Sequence, residues 1–246
     1  MTMQLKKIFE EWTGFTENKF SDRQWLLAKW EVSEGVVWPK AKIDVMIKTI
    51  LQRLDLRFDH TLIDLGCGGG WILDLLSGRV QSAVGLDFSW GMIQNAAVLV
   101  PRNRLIQGAI GELPFKDGTF DRILCYFVLI NVLDDTDVER FLVDMFRVLK
   151  PGGRLLVGQM PDRAGSKDYD SAKVEYFDYC RSHYQLGDCL RDQNRIPQKL
   201  FDVLRLRAFL DSQKIRYEIC PSFNPFYRPG EPETVTWRFD LVLYKD

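Results

Sequence analysis

Histidine is nearly missing from this chain, with two in 246 residues, and its five cysteines (67, 125, 180, 189, 220) include no C-x-x-C pair. That excludes the common zinc spacings and a disulfide framework, so the expectation is no metal and reduced thiols. An excess of one charge is missing as well. The 33 basic and 34 acidic residues leave a formal net charge of -1, which gives no global field to gather a polyanion. Nucleic acid is therefore not the first partner to expect. No apolar run approaches the roughly 20 residues that cross a bilayer, and the N-terminus MTMQLKKIFEEWTGF has no signal-peptide core. These absences predict a cytoplasmic protein without a membrane span, and they leave the oligomeric state open. With 46% hydrophobic residues, a chain of 246 can bury one large core, and a single domain over 1–246 is expected.

The pattern along the chain divides that domain into four stretches. Ser21 and Gln24 have capping-box spacing and Pro39 can open a helix running to about Arg53, which predicts an N-terminal helical cap over 1–58. From 59 to 160, strand-like runs alternate with helical ones. TLIDL (61–65), SAVGLD (82–87), RLIQGA (104–109), FDRILCYF (120–127) and RLLVGQM (154–160) are the strands. The helices between them include one capped by Ser89 and one from about Asp135 with Thr136 and Glu139 as a second capping box. Such alternation predicts an α/β fold, a parallel sheet wound on both faces, with its site beyond the carboxyl ends of the strands. Residues 161–197 are too long for an ordinary connection and carry aromatics at helical spacing, so they read as an inserted helical lid. The remainder, 198–246, predicts a helix from about Pro197 to Ser212, a strand IRYEIC, and a strand TVTWRFDLVLY. In the last of these, Val235, Trp237, Phe239, Leu241 and Leu243 alternate with more polar residues, as on a half-buried antiparallel strand.

The stretch LIDLGCGGGW (62–71) ends a strand on an acid and then places four glycines in five positions. A dinucleotide fingerprint would put its third glycine at Trp71, and a pyrophosphate has no use for the nearby carboxylate. A ligand with a cationic end does. Asp64, Gly66, Gly68 and Gly70, then Asp87 in VGLDFSWGM, GELPF at 111–115 and LKPGGRLLV at 149–157 together resemble a class I S-adenosylmethionine-dependent methyltransferase of the small-molecule, methyltransferase type 11-like kind. The resemblance covers about residues 60–160. It implies the seven-stranded order 3-2-1-4-5-7-6, with strand 7 antiparallel.

It also implies S-adenosylmethionine as cofactor and S-adenosylhomocysteine as product. The cofactor-binding residues it points to are Asp64, Gly66, Cys67, Gly68, Gly70, Asp87, Phe88, Ser89, Met92, Ala109, Ile110, Cys125 and Tyr126. Asp64 would face the ammonium end, Asp87 the ribose hydroxyls, and Phe88, Met92 and Ile110 the adenine. Ala109 departs from the acid that relatives often carry there, leaving Ile110 backbone groups, Glu112 or stacking to hold the adenine.

Because the sulfonium already activates its methyl group, alignment of the acceptor can supply much of the rate, and a base is required only by some acceptors. His183 in the lid, among Tyr176, Tyr179 and Tyr184, is the candidate base. His60 precedes the first strand and belongs at the far edge. Asn131, Asp134 and Asp162 follow strands 4 and 5 and are candidate acceptor contacts, together with Tyr176 and Tyr179. Trp30 and Trp38 are candidates for an apolar wall. The expected function is methyl transfer to oxygen or nitrogen of a small molecule or sugar. The alternatives are an RNA methyltransferase, which the CYFVLI segment (125–130) and the solvated character of the basic run 191–216 disfavour, and a non-catalytic scaffold that only binds the cofactor.

Overall fold

A computed structural model describes residues 32–33, 36–37, 40–100, 104–132, 134–172, 174–175, 198–227 and 230–246. The capping box at Ser21, residues Trp30 and Trp38, and the lid residues Tyr176, Tyr179, His183 and Tyr184 lie outside the described residues. Val32–Ser33 and Val36–Val37 form a two-residue antiparallel ladder at the start of the described chain.

Seven strands form the sheet: β1 (Thr61–Leu65), β2 (Ser82–Asp87), β3 (Arg104–Gln107), β4 (Phe120–Tyr126), β5 (Leu149–Pro161), β6 (Arg216–Phe223) and β7 (Thr234–Tyr244). Their order is 3-2-1-4-5-7-6, and β7 runs antiparallel to both neighbours, as the resemblance implied. Among the described residues, the helices that cover the faces of the sheet include α1 (Lys40–Leu54), α2 (Trp71–Ser77), α3 (Trp90–Leu99), α4 (Asp135–Val148) and α5 (Val203–Ser212).

Two apolar layers follow from the period of each strand. Leu62, Leu124, Leu156 and Val242 face Met46, Ile50 and Leu54 of α1 and Leu73 and Leu76 of α2. Ile63, Ile123, Leu155 and Leu241 face Phe141, Leu142 and Met145 of α4 and Leu206 and Leu210 of α5. Side chains alternate across a strand, so a sheet buried on both faces must be apolar at odd and even positions alike. Each such Leu or Ile contributes about 1.5–3 kcal/mol.

Several boundaries differ from the sequence expectation, each for a local reason. The cap of α4 is Asp134, whose carboxylate accepts from Thr136 N at 2.7 Å, so the Thr136–Glu139 capping box does not form. Glu139 instead receives Arg205 of α5 at 3.0 Å. Helix α5 starts at Val203, not near Pro197, because Phe201 is extended: its N–H donates to Pro161 O at 2.8 Å and its carbonyl accepts from Arg163 N at 2.9 Å. Asp202 then caps the helix through Leu204 N and Arg205 N. Lys199, read as part of a solvated basic face, is buried with its ammonium 2.5 Å from Asp135.

Strand β7 is a further correction. It is buried on both sides from Trp237 to Leu243, not half-buried. Arg238 and Asp240 occupy the face assigned to solvent because each finds partners inside. Asp240 pairs with Arg53 of α1 and accepts from Gln159 N and Ser222 Oγ, while Arg238 donates to Gln159 O and Gln198 Oε1.

Candidate functional site

The carboxyl ends of β1 and β2 carry the glycine turn. Gly66 N and Cys67 N both donate to Leu86 O, at 2.7 and 3.1 Å, which folds the turn back against β2. Gly66, Gly68 and Gly70 all take positive φ, at 75°, 53° and 83°. A left-handed residue with a Cβ costs about 1–2 kcal/mol, so the backbone alone selects glycine. Space selects it again at Gly66, where a Cβ would lie 2.5 Å from a methyl of Val128. Gly70 then opens α2, and a Cβ added there would lie 3.0 Å from the Cβ of Ala96 in α3.

Asp87, the last residue of β2, ties this edge together. One carboxylate oxygen accepts from Gly68 N and the other from Ser89 N, both at 2.9 Å. Ser89 in turn caps α3 by accepting from Met92 N at 3.4 Å. Each Asp87 oxygen retains a second lone pair, so the same carboxylate that fixes the turn can accept from a ligand hydroxyl.

Asp64 is different. It is 3% exposed, and no hydrogen bond or ion pair reaches its carboxylate among the described residues. Burial, with the Asp87 charge adding to it, pushes its pKa up to about 7. Asp87 is also raised by burial, against which the N–H groups of Ser89 and Gly68 act. The thiol of Cys67 lies beside both acids and is held neutral, by burial first and then by their charges. Among the described residues, two buried carboxylates stand at this edge and the charge that raises Asp64 is the like charge of Asp87.

Around this pair, Phe88 and Met92 are half-buried at the start of α3, Ala109 is exposed and Ile110 is half-buried against the core. Glu112 is exposed. The GELPF segment is held from below, with Leu113 N donating to Asp144 at 2.7 Å and Arg147 donating to Phe115 O and Leu113 O. The LKPGG segment lies at the opposite edge, where Gly152 N meets Lys245 O at 2.7 Å. His60 lies at that edge too, accepting from Arg57 N.

The sequence placed the end of β4 one residue too late. Cys125 is fully buried in one apolar layer and Tyr126 is buried in the other, its hydroxyl beside Gln159 and Ser222. Phe127, with φ 61°, turns the chain, and Val128 leans over Gly66. Val128 meets the glycine turn, and a residue with β-branching after an aromatic gave no signal that the strand had ended. Asn131 closes the same turn by donating to Phe127 O and Val128 O, both at 3.3 Å. Asp162 caps the segment after β5 by accepting from Ala164 N at 3.0 Å. The Asn131 amide and the Asp162 carboxylate thus already hold local backbone. No His/Cys/Asp/Glu group among the described residues has metal-holding geometry. No helix among them is long and apolar enough to cross a membrane.

Comparison with known proteins falls on the same segment. Residues 63–157 match the family model described as a methyltransferase domain. The demethylmenaquinone methyltransferase of Oceanobacillus iheyensis is 32% identical over 117 residues, covering 44% of this chain and 48% of that protein. The protein of the same name from Tropheryma whipplei is 39% identical over 108 residues, 43% of this chain and 44% of the relative. The chain therefore spans about half the length of the curated relatives it matches. A SAM-dependent methyltransferase structure from Methanosarcina mazei superposes with a TM-score of 0.57 at 20% identity, over 80% of this chain and 96% of that one, a likeness of fold. Residues 63–157 are thus similar to a methyltransferase domain, and the seven-stranded sheet has the fold of S-adenosylmethionine-dependent methyltransferase structures.

Proposed function

We propose that this chain transfers the methyl group of S-adenosylmethionine to an oxygen or nitrogen atom of a small-molecule acceptor. The observation that carries the proposal is Asp64: a buried carboxylate beside a second carboxylate, with no hydrogen bond or ion pair among the described residues. An ammonium about 4 Å from such a group gains roughly 4 kcal/mol at the effective dielectric of a protein site. A dinucleotide would bring its pyrophosphate to the same two acids and meet repulsion instead. The turn at Gly66, Cys67, Gly68 and Gly70 would let the ligand lie against bare backbone, and Asp87 would accept from the ribose through its free lone pairs. Phe88, Met92, Ala109 and Ile110 would border the adenine, with Ser89 holding the start of α3 in place. Cys125 and Tyr126 would back the ligand from the end of β4, with Val128 beside Gly66 at the same edge.

When bound, S-adenosylmethionine supplies an electrophilic methyl group on a sulfonium. The chain's task is then to place an acceptor in line and keep water out. Asn131, Asp162, Tyr176 and Tyr179 would contribute on the acceptor side, with His183 as the base for an acceptor that must lose a proton. The names of the two demethylmenaquinone methyltransferases support a small molecule as acceptor. Calorimetry tests the cofactor: S-adenosylmethionine binds one to one and NAD does not. Release of S-adenosylhomocysteine across a panel of alcohol, phenol, amine and carboxylate acceptors tests the transfer. Cofactor binding without product from any acceptor would leave the scaffold reading in its place.

A further inference from the structure

Gln107 ends β3 at the sheet edge that carries Asp64 near the end of β1 and Asp87 at the end of β2, and the three strands are neighbours in that order. A ligand with its ammonium at Asp64 and its ribose at Asp87 therefore carries its base toward β3, one strand spacing of about 4.8 Å further on. The side chains assigned to the base, Phe88, Met92, Ala109 and Ile110, bring apolar contact but no amide, hydroxyl or carboxylate. Glu112 comes only after Gly111, which takes φ 105° and packs so closely on the Phe141 ring of α4 that a Cβ would lie 2.3 Å from it. The chain has turned toward α4 by that point.

Gln107 is tied to this edge twice. Its backbone pairs with Asp87 in the ladder, and the next residue continues the tie, Gly108 N donating to Asp87 O at 2.9 Å. Its side chain crosses to the same segment, with Nε2 donating to Phe88 O at 3.2 Å. That second bond fixes which way the amide faces. A backbone carbonyl can only accept, so the nitrogen must point at Phe88 and the oxygen must take the other branch of the planar group. One N–H and the side-chain oxygen remain, on an exposed residue. An adjacent donor and acceptor of this kind is the pair with which glutamine reads adenine, accepting from the exocyclic amino group and donating to a ring nitrogen.

We propose that Gln107 is the residue that selects adenine as the base of the bound nucleoside, its oxygen accepting from the exocyclic amino group and its second N–H donating to the neighbouring ring nitrogen. Hypoxanthine carries an oxo group in place of that amino group. A glutamine free to rotate would turn over and satisfy either base. The Phe88 carbonyl forbids the turn, because the flipped amide would set two oxygens against each other and strand the carbonyl. Selectivity thus comes from two groups together, the amide that meets the base and the backbone oxygen that holds it in one orientation. The inference rests on the methyl-transfer reading for where the ligand lies, and adds the group that decides its base.

The test is calorimetry on the full chain with S-adenosylhomocysteine and with its deaminated analogue S-inosylhomocysteine, in wild type and in Gln107→Met. Methionine keeps the length of the side chain and removes both polar groups, and because Gln107 is exposed the melting temperature should not change. Wild type is expected to bind the adenine ligand at least about tenfold more tightly than the hypoxanthine one, the discrimination of a good bidentate contact. In Gln107→Met that ratio should fall to within about threefold, through weaker binding of the adenine ligand. A merely structural role would weaken both ligands alike and leave the ratio where it was. Equal binding of the two ligands by wild type, or a ratio unchanged in the variant, would overturn the proposal and leave the cofactor reading standing. No binding of either ligand to wild type would defeat the methyl-transfer reading, and this inference with it.

Discussion

Replacing Asp64 by Asn should stabilise the ligand-free protein and weaken its hold on the cofactor, two effects of opposite sign from one side chain. In the folded chain burial and the Asp87 charge raise the Asp64 pKa to about 7 from an ordinary value of 3.8. Between those values the unfolded carboxyl is ionised while the folded one keeps its proton. The folded state therefore binds more protons, and its stability falls as pH rises through that window and levels off above about 7. A shift of about three units at roughly 1.4 kcal/mol each puts the full penalty near 4 kcal/mol, an upper bound because the structure can relax around the charge. Asn carries no such penalty. Thermal unfolding by circular dichroism should thus give little difference between wild type and Asp64→Asn at pH 4. At pH 8 the variant should melt higher, by roughly 2–4 °C for each kcal/mol recovered. A difference that stays flat across pH, or a variant that melts lower at pH 8, would refute the electrostatic reasoning.

Other consequences follow from the same contacts. In wild type at pH 6, cofactor binding must ionise Asp64, so calorimetry in buffers of different ionisation enthalpy should detect close to one proton released, and none at pH 8.5. Gly66→Ala puts a methyl into Val128 at a φ of 75° and should cost roughly 2–4 kcal/mol in chemical denaturation, with cofactor binding lost. Asp240→Ala strands the part-buried Arg53 and should cost about 3–5 kcal/mol, whereas a paired replacement of Arg53 and Asp240 by Met and Leu should recover most of it. Asp202→Ala removes the cap of α5 and should cost about 1 kcal/mol without affecting cofactor affinity.

Legibility from sequence was governed by whether a segment's pattern reflected local rules or distant partners. Strand β7 could be bounded residue by residue because its alternation is a local signal, yet its burial was misread. Arg238 and Asp240 look solvent-facing until Arg53, Gln159 and Ser222, far away in sequence, are placed beside them. The site followed the same division. Glycines that must take positive φ and acids that end strands stand out in one dimension, so Asp64, Asp87 and the turn between them were legible. What those acids do in the folded chain was less so. Asp87 proves to be a strut for Gly68 and Ser89, and Asp64 has no hydrogen bond or ion pair among the described residues, a distinction that needs coordinates.

The central claim is that an unpaired buried carboxylate at the end of β1 awaits the positive end of S-adenosylmethionine. Titrating that compound into wild type and Asp64→Asn at pH 8 by calorimetry tests it directly. The account predicts one-to-one binding to wild type and at least about tenfold weaker binding to the variant, in keeping with the loss of a charged contact. Equal affinity for both proteins, or no binding to wild type, would contradict it.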